Sequence, residues 1–579
     1  MMSYQCLGRP RLFLSRLWLA SALSGLALAG AAQAAHRTAP EAVAGTAMPQ
    51  IVLKDGKAAF MVDGAPFLML AGQANNSSNY PAALPKVWPA IADMHANTLV
   101  MPVAWQQIEP VEGHFDFGWV DELVKQAREH HVRLDILWFG TWKNTGPNYA
   151  PSWVKLDNKR FPRLFKKDGS ESYALSPLYD TTREADKRAY VELLKHIKAI
   201  DGAQHTVILV QCENEVGVYG SARDYSPRGD ALMNQPVPQA LIARMGSRAL
   251  KASGNWHDVF GDDADEYFHA WSIASYIDDI VAAGKAVYPL PVYVNDALKD
   301  PLNPKQPAGS YASGGPSYNV IDIYKVAAPH VDVEAPDLYS PASASYEATL
   351  KLYHRPDNPL MVAESGNNAL YARYIFTALG QQAIGFDPFG FDYTGYSNYP
   401  LGEKDWGPDK VKPFGAVYAL FGGMDRVWAK LSYESQVWGV SEPDDHSSQT
   451  IDLGRWKATV SYRQWQFGMT EWDPDHKAGY PAGSDVPSGG VAIAKLSDTQ
   501  YIVAGVNARV SFGYAGGDAN RAYQEDRVEE GHFDAAGQWV FERMWNGDET
   551  DYGLNFTNTP VVLKVTLGSY VKNNKDAMK

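Results

Sequence analysis

Val207-Ile208-Leu209-Val210-Gln211-Cys212-Glu213-Asn214-Glu215-Val216-Gly217 is the stretch from which this chain is read. Its first four residues are apolar without interruption, the pattern of a buried strand in a parallel sheet. So dry a strand closing on two carboxylates and an amide is costly unless those groups meet a ligand or one another. Further along, Pro359-Leu360-Met361-Val362-Ala363 closes on Glu364-Ser365-Gly366 in the same manner. Two buried strands that each end in Glu imply paired carboxylates at one mouth.

Outward from these two strands the chain alternates. Strands are expected at residues 67–71, 98–103, 132–138, 207–210, 291–295, 331–339, 360–364 and 383–386. Helical patterns fall between them, near 86–95, 119–130, 183–200, 264–287, 319–328, 343–353 and 369–379. Repeated strand–helix units imply a parallel sheet, and eight of them point to a closed barrel. The glycine fingerprint of a dinucleotide-binding sheet does not follow the first strand. The expected fold is α/β, a (β/α)8 TIM barrel over 67–430. A polar lead and a hairpin occupy 35–66. From 431 to 579 short strands at 464–467, 491–494, 501–506 and 561–567, parted by Gly, Asp and Asn turns, predict an all-β, sandwich-like domain. The polar tail 572–579 is expected to fray. In a barrel of this kind the chemistry sits at the C-terminal ends of the strands. Long inserts at 144–179, 224–262 and 300–317 follow strands and are expected to rim that mouth.

Residues 1–34 read as a secretory signal. Arg9, Arg11 and Arg16 form a basic flank, 17–30 is apolar and small, and Ala32-Gln33-Ala34 fits the cleavage rule. Export to the periplasm or beyond is expected, without membrane insertion. The formal charge is −14, and cleavage removes three Arg and no acid. So acidic a chain excludes nucleic-acid binding through phosphate neutralisation. Cys6 leaves with the signal, so Cys212 stands alone and no internal disulfide forms. With no His near it in sequence, Cys212 reads as a small buried hydrophobe. His130-His131 lacks metal-ligand spacing, and neither a zinc motif nor a phosphate loop occurs. No cofactor and no metal are expected; oligomeric state is left open.

Two inward carboxylates from different strands suit glycoside hydrolysis, in which one protonates the leaving oxygen and the other attacks the anomeric carbon. Their environments must push the two pKa values apart. Glu213 and Glu215, two apart, are expected to start on one face, and spacing does not separate their roles. Among 17 Trp and 32 Tyr, aromatic faces are available for sugar stacking. Trp105, Trp138 and Trp142 are candidate walls. Asn75, Asn76, Asn295 and Asp392 divide between site and turn roles, and Glu109-Pro110 reads as structural.

The eight residues 210–217 resemble the Gln-x-Glu-Asn-Glu-x-Gly signature of glycoside hydrolase family 35, the retaining β-galactosidases. Trp105-Gln106-Gln107-Ile108-Glu109-Pro110 with Gly113-His114-Phe115-Asp116-Phe117, and Ala150-Pro151-Ser152-Trp153, resemble further motifs of that family. The resemblance implies Glu215 as general acid/base after the fourth strand and Glu364 as nucleophile after the seventh. It implies Asn214 on the sugar 2-hydroxyl, Tyr339 orienting the nucleophile, and Glu213 on a sugar hydroxyl. Trp105, Trp142 and Asn76 complete the expected substrate-binding set. Two departures are plain: the third strand ends in Gly140-Thr141-Trp142, where the family has Ala-Glu-Trp, and the first ends in Gln73-Ala74-Asn75-Asn76 in place of the family's aromatic pattern, so the chain resembles a divergent bacterial branch. The reading is a retaining exo-β-galactosidase acting on oligo- or polysaccharides, with galactosyl side chains of plant-wall xyloglucan as one substrate. The alternatives are another β-glycosidase of the clan, a β-glucosidase or arabinopyranosidase, and a non-catalytic carbohydrate-binding protein.

Overall fold

Eight parallel strands pair in chain order, and the last returns to the first to close a barrel. They are β1 (Met69–Gln73), β2 (Thr98–Ala104), β3 (Arg133–Lys143), β4 (Val207–Asn214), β5 (Val292–Asp296), β6 (Val333–Leu338), β7 (Met361–Ser365) and β8 (Gly385–Pro388). The computed structural model describes residues 47–463 and 486–573. The segment expected to be a signal with its Cys6, most of the lead, the strand expected at 464–467 and the last six residues of the tail lie outside that range.

Side chains alternate along the strands as the pleat requires. On β2, Val100 enters the barrel core while Leu99, Met101 and Val103 join the layer beneath the helices. The core of the barrel is packed, with Met69, Leu137, Phe139, Leu209, Tyr293, Val333 and Met361 inside. An N-terminal hairpin, Gln50–Lys54 with Lys57–Val62, turns through Asp55-Gly56, both at positive φ, which is the type I′ geometry that such dipeptides favour. Its Phe60 and Val62 join the barrel core, each worth roughly 1.5–3 kcal/mol of burial.

The helices are α1 (Leu84–Asp93), α2 (Gly118–Glu129), α3 (Asp180–Asp201), α4 (Ala264–Val287), α5 (Ile321–Ala327), α6 (Ser343–Tyr353), α7 (Tyr374–Gly380) and α8 (Pro408–Gly422). In α3, Ala185, Ala189, Leu193 and Ile197 recur at helical spacing and face the strands, while Glu184–Lys187 and Glu192–Lys195 pair on the wet side. Neither α8 nor the helix Asp425–Glu434 after it was expected. Both lie where the apolar pattern continues past β8 without a strand, and the expected boundary at 430 falls inside the second.

Two antiparallel sheets follow. One has six strands, Val437–Ser441, Gly490–Lys495, Gln500–Val506, Val561–Val571, Arg521–Phe533 and Trp539–Met544 in spatial order. The other has four, Gln449–Asp452, Trp456–Ser461, Ala508–Tyr514 and Leu554–Phe556. Alternation assigns the two faces of the larger sheet. Val491 and Ile493 meet Trp456, Val460 and Val510 of the smaller sheet, whereas Ala492 and Ala494 pack on the barrel beside Phe376, Phe421 and Trp428. Gly439 sits where a Cβ would lie 1.9 Å from Phe376 O, so sheet and α7 touch through backbone. Among the described residues no helix is long and apolar enough to cross a membrane.

Candidate active site

β4 ends in an irregular backbone. Glu213 and Glu215 adopt φ of 64° and 44°, a left-handed region that costs non-glycine residues about 1 kcal/mol or more each. The irregularity breaks the alternation that would have put both carboxyls on one face. Gly217 follows at φ 109°, and a Cβ there would lie 2.2 Å from Ala312 O of the third insert, so only glycine admits that crossing.

Glu215 and Glu364 meet at the mouth. Together with Asp337, from the end of β6, they present carboxyl oxygens all within 4.8 Å of one another. Glu364 accepts from Tyr339 Oη at 2.6 Å and from Gln73 Nε2 at 3.2 Å. Asn295, at the end of β5, accepts the Glu215 backbone N–H at 2.8 Å and donates to Asp337 Oδ2 at 2.8 Å. Burial pushes Glu215 up to about 7; Lys143 opposes the rise and Glu364 adds to it. Burial, then Glu364 and Glu215, push Asp337 well above the carboxylate range. This is the one cluster of three such oxygens among the described residues.

A cleft of about 680 Å³ opens over these groups. Asn76, Lys143, Asn144, Tyr149, Tyr219, Tyr339 and Phe389 line it along with Glu215 and Glu364. That volume suits a small ligand. At one side Asp392 binds the Asn75 backbone N–H at 2.8 Å, Asn75 Nδ2 at 3.0 Å and Ser78 Oγ at 2.6 Å, tying the loop after β8 to the loop after β1.

Of the expected substrate-binding residues, Asn76 and Tyr339 line the cleft. Asn214 is buried behind Asn144, its amide 3.1 Å from Asn144 Oδ1 and 3.0 Å from Gln211 Nε2. Three expectations are overturned by placement. Glu213 is 0% exposed and turns into the layer between β3 and α3. There it accepts from the backbone N–H groups of Thr141 at 3.1 Å and Trp142 at 2.7 Å, and it is hydrogen-bonded to Asp186. Burial and the Asp186 charge push Glu213 well up, so it holds the proton of that pair. Trp105 is fully buried with its Nε1 on Glu109 Oε2 at 2.9 Å. Trp142 packs on Tyr276 with its Nε1 on Leu175 O at 3.1 Å. Both indoles sit in the layer under the helices, as does Trp138.

Thr141, which stands in place of the acid the resemblance leads one to expect, gives its hydroxyl to Asp186 Oδ2 at 2.6 Å and lies 2.7 Å from Tyr276 Oη. Glu109 is structural, accepting from Trp105, Gly113 N and Arg188. Burial drives the Cys212 thiol well up, as expected of an inert buried cysteine.

Reading the sequence missed Asp337, Lys143, Tyr149 and Tyr219. Asp337 carried a signal: it ends an apolar strand two residues before Tyr339, the same cost argument that singled out residues 213 and 215. Lys143 carried one as well, being the last residue of β3, whereas Tyr149 and Tyr219 carried none, since they enter the cleft from loops.

Residues 414–557 match a family model described as a domain of unknown function, DUF5597. No curated protein matches the chain. Among solved structures, a beta-galactosidase from Bacillus circulans sp. alkalophilus is similar at 10% identity and a TM-score of 0.47, covering 86% of this chain and 99% of that one. A beta-galactosidase from the psychrophilic Marinomonas ef1 is similar at 11% identity and 0.44, covering 63% and 62%. The catalytic domain of beta-amylase from Paenibacillus polymyxa is similar at 14% and 0.41, covering 55% and 91%. The barrel rests on its own strand pairing and not on these likenesses. The motifs resembled family 35, yet the model that matches is of family 42; a motif at a strand end reports the chemistry placed there and not the branch of barrel enzymes that carries it. Over residues 90–232, from α1 past the end of β4, the chain is similar to the beta-galactosidases of glycoside hydrolase family 42.

Proposed function

We propose that this protein is a retaining exo-β-galactosidase that removes terminal β-galactosyl residues from oligo- or polysaccharides. The observation that carries the reading is the approach of Glu215 and Glu364 to within 4.8 Å. Retaining enzymes hold their carboxyls about 5–5.5 Å apart, and inverting ones hold them about 6.5–9.5 Å apart to admit a water. The contrast in environment supports the division of labour. Glu215, held near about 7 by burial, keeps a proton to give. Glu364 receives two hydrogen bonds, from Tyr339 and Gln73, which hold its carboxyl in place for attack.

Glu364 attacks the anomeric carbon as the glycosidic C–O bond breaks, and the Glu215 proton passes to the leaving oxygen. Water then attacks the glycosyl ester, its proton going to Glu215, and the Glu364 carboxylate is released. The match of 90–232 to a beta-galactosidase model supports galactose as the sugar. The sequence of residues 1–34 supports an exported protein.

The test is a panel of aryl β-glycosides with the anomer of the first product followed by NMR. Release of β-galactose before mutarotation is expected. An α-product rules out the double displacement, and a preference for glucosides or arabinopyranosides moves the assignment to another sugar.

A further inference from the structure

Double displacement uses two carboxyls, and this mouth has three. Asp337 is 3% exposed, and its Oδ2 accepts from Asn295 Nδ2 at 2.8 Å. Its Oδ1 receives no N–H or hydroxyl from the described residues. The Asp337 carboxyl nevertheless approaches both Glu215 and Glu364 within 4.8 Å and is hydrogen-bonded to Glu215. A dry carboxylate beside two other carboxyls, with one oxygen lacking a donor, is the costly arrangement. A carboxylic acid whose O–H points at Glu215 removes that cost.

We propose that Asp337 is a positioning residue that remains protonated through turnover and donates its Oδ1–H to Glu215. The inference rests on the glycosidase reading for its consequence, though not for the protonation itself. The opposite arrangement, an ionised Asp337 accepting from Glu215, would point the acid's proton away from the leaving group. With Asp337 as donor, the bond is strongest once Glu215 has given up its proton, since charge-assisted hydrogen bonds are roughly twice as strong as neutral ones. Asp337 thereby offsets part of the penalty that burial and Glu364 impose on the Glu215 anion.

The groups facing Asp337 favour its neutral form. Glu215 comes from β4, Glu364 from β7 and Asp296 from β5, all acids. The phenols of Tyr293, Tyr339, Tyr353 and Tyr219 also sense its charge. Lys143 acts on Glu215, from the end of β3.

Infrared difference spectra of the intact protein at pH about 8, Asp337→Asn against wild type, test the protonation without any substrate. Loss of one carboxylic-acid C=O band is expected. Loss of a carboxylate band instead overturns the proposal. Glu215→Gln supplies a second reading should the first variant not fold: the Asp337 acid band persists but moves to higher frequency as its acceptor weakens, and an unmoved band overturns the donation to Glu215. The pH profile on an aryl β-galactoside adds the functional reading. Asparagine keeps a donor toward Glu215 and an acceptor toward Asn295, so the basic limb of kcat/KM stays within about half a pH unit. Asp337→Ala removes the donor, and the basic limb rises by about one unit while kcat falls more than KM changes. A basic limb that falls in Asp337→Asn shows that Asp337 was an anion and overturns the proposal. A wild type that shows the acid band yet hydrolyses no galactoside refutes the galactosidase reading and leaves Asp337 protonated.

Discussion

Tyr339 Oη donates to Glu364 Oε2 at 2.6 Å, joining the end of β6 to the end of β7. On the proposed mechanism this bond orients the Glu364 carboxyl for attack, while Gln73 donates to its Oε1. Tyr339→Phe removes the donor and leaves the ring. The expected result is a fall in kcat of about 10–100-fold with a smaller change in KM, because a geometry needed in the transition state is lost. Steady-state kinetics on an aryl β-galactoside decide it; a change confined to KM would assign Tyr339 to sugar binding alone.

Glu364 and Glu215 should fail differently. Glu364→Gln abolishes turnover of every substrate, by at least about 10⁴-fold. Glu215→Gln costs about 10²–10⁴-fold on leaving groups that need a proton and far less on an acidic phenol that leaves unaided. Comparing nitrophenyl galactosides of graded leaving-group acidity separates the two, and equal losses across the series would remove the acid role from Glu215.

Activity should decline as pH rises through about 7, because burial holds the Glu215 pKa there and the acid must be protonated to act. A pH profile of kcat/KM shows this basic limb, and Glu215→Gln should lack it. A limb unchanged in that variant assigns it to another group.

Stability should fall over the same interval. Asp135, Glu215 and Asp296 are each pushed up to about 7 by burial, so the folded chain holds protons that the unfolded chain releases. A group with a raised folded pKa contributes stability that is complete below its unfolded pKa and lost as pH rises through the folded one. The lowered Asp357, near about 2, changes its contribution only below about pH 4. His269, lowered to about 3 by burial, opposes the trend only up to about pH 6.5, where the unfolded imidazole gives up its proton. Calorimetry between about pH 6.5 and pH 8 should therefore show the melting temperature falling; a rise would mean that other groups control the interval.

Tyr219 is 45% exposed, lines the cleft and feels the Glu215 charge, and on the proposed mechanism it faces the leaving group. Tyr219→Ala should raise KM for a galactosyl disaccharide several-fold more than for galactosyl fluoride, whose leaving group has no ring to stack. Equal effects on both would place Tyr219 against the galactosyl unit instead.

The sequence by itself determined the barrel and the acid pair. Strand–helix alternation is a local property, readable in apolar runs such as 207–210 and 360–363. A parallel barrel aligns the strand ends, so residues next to each run reach one mouth whatever the loops do. Glu364 and a carboxyl of the Glu213/Glu215 pair follow from that alone; the choice of Glu215 came from the motif that residues 210–217 resemble. Only the tertiary structure decided which polar neighbours share the mouth. Glu213 follows the same strand, yet left-handed backbone at 213 and 215 sends it to Thr141, Trp142 and Asp186. Trp105 and Trp142 looked like sugar platforms, but their side chains belong to the layer under the helices, where indole N–H groups find buried acceptors. Asp337, Lys143 and Tyr219 come to the cleft from three different segments. A one-residue shift in backbone conformation turns a side chain from one face of a strand to the other. Periodicity does not record such a shift, because it arises from packing between segments distant in sequence.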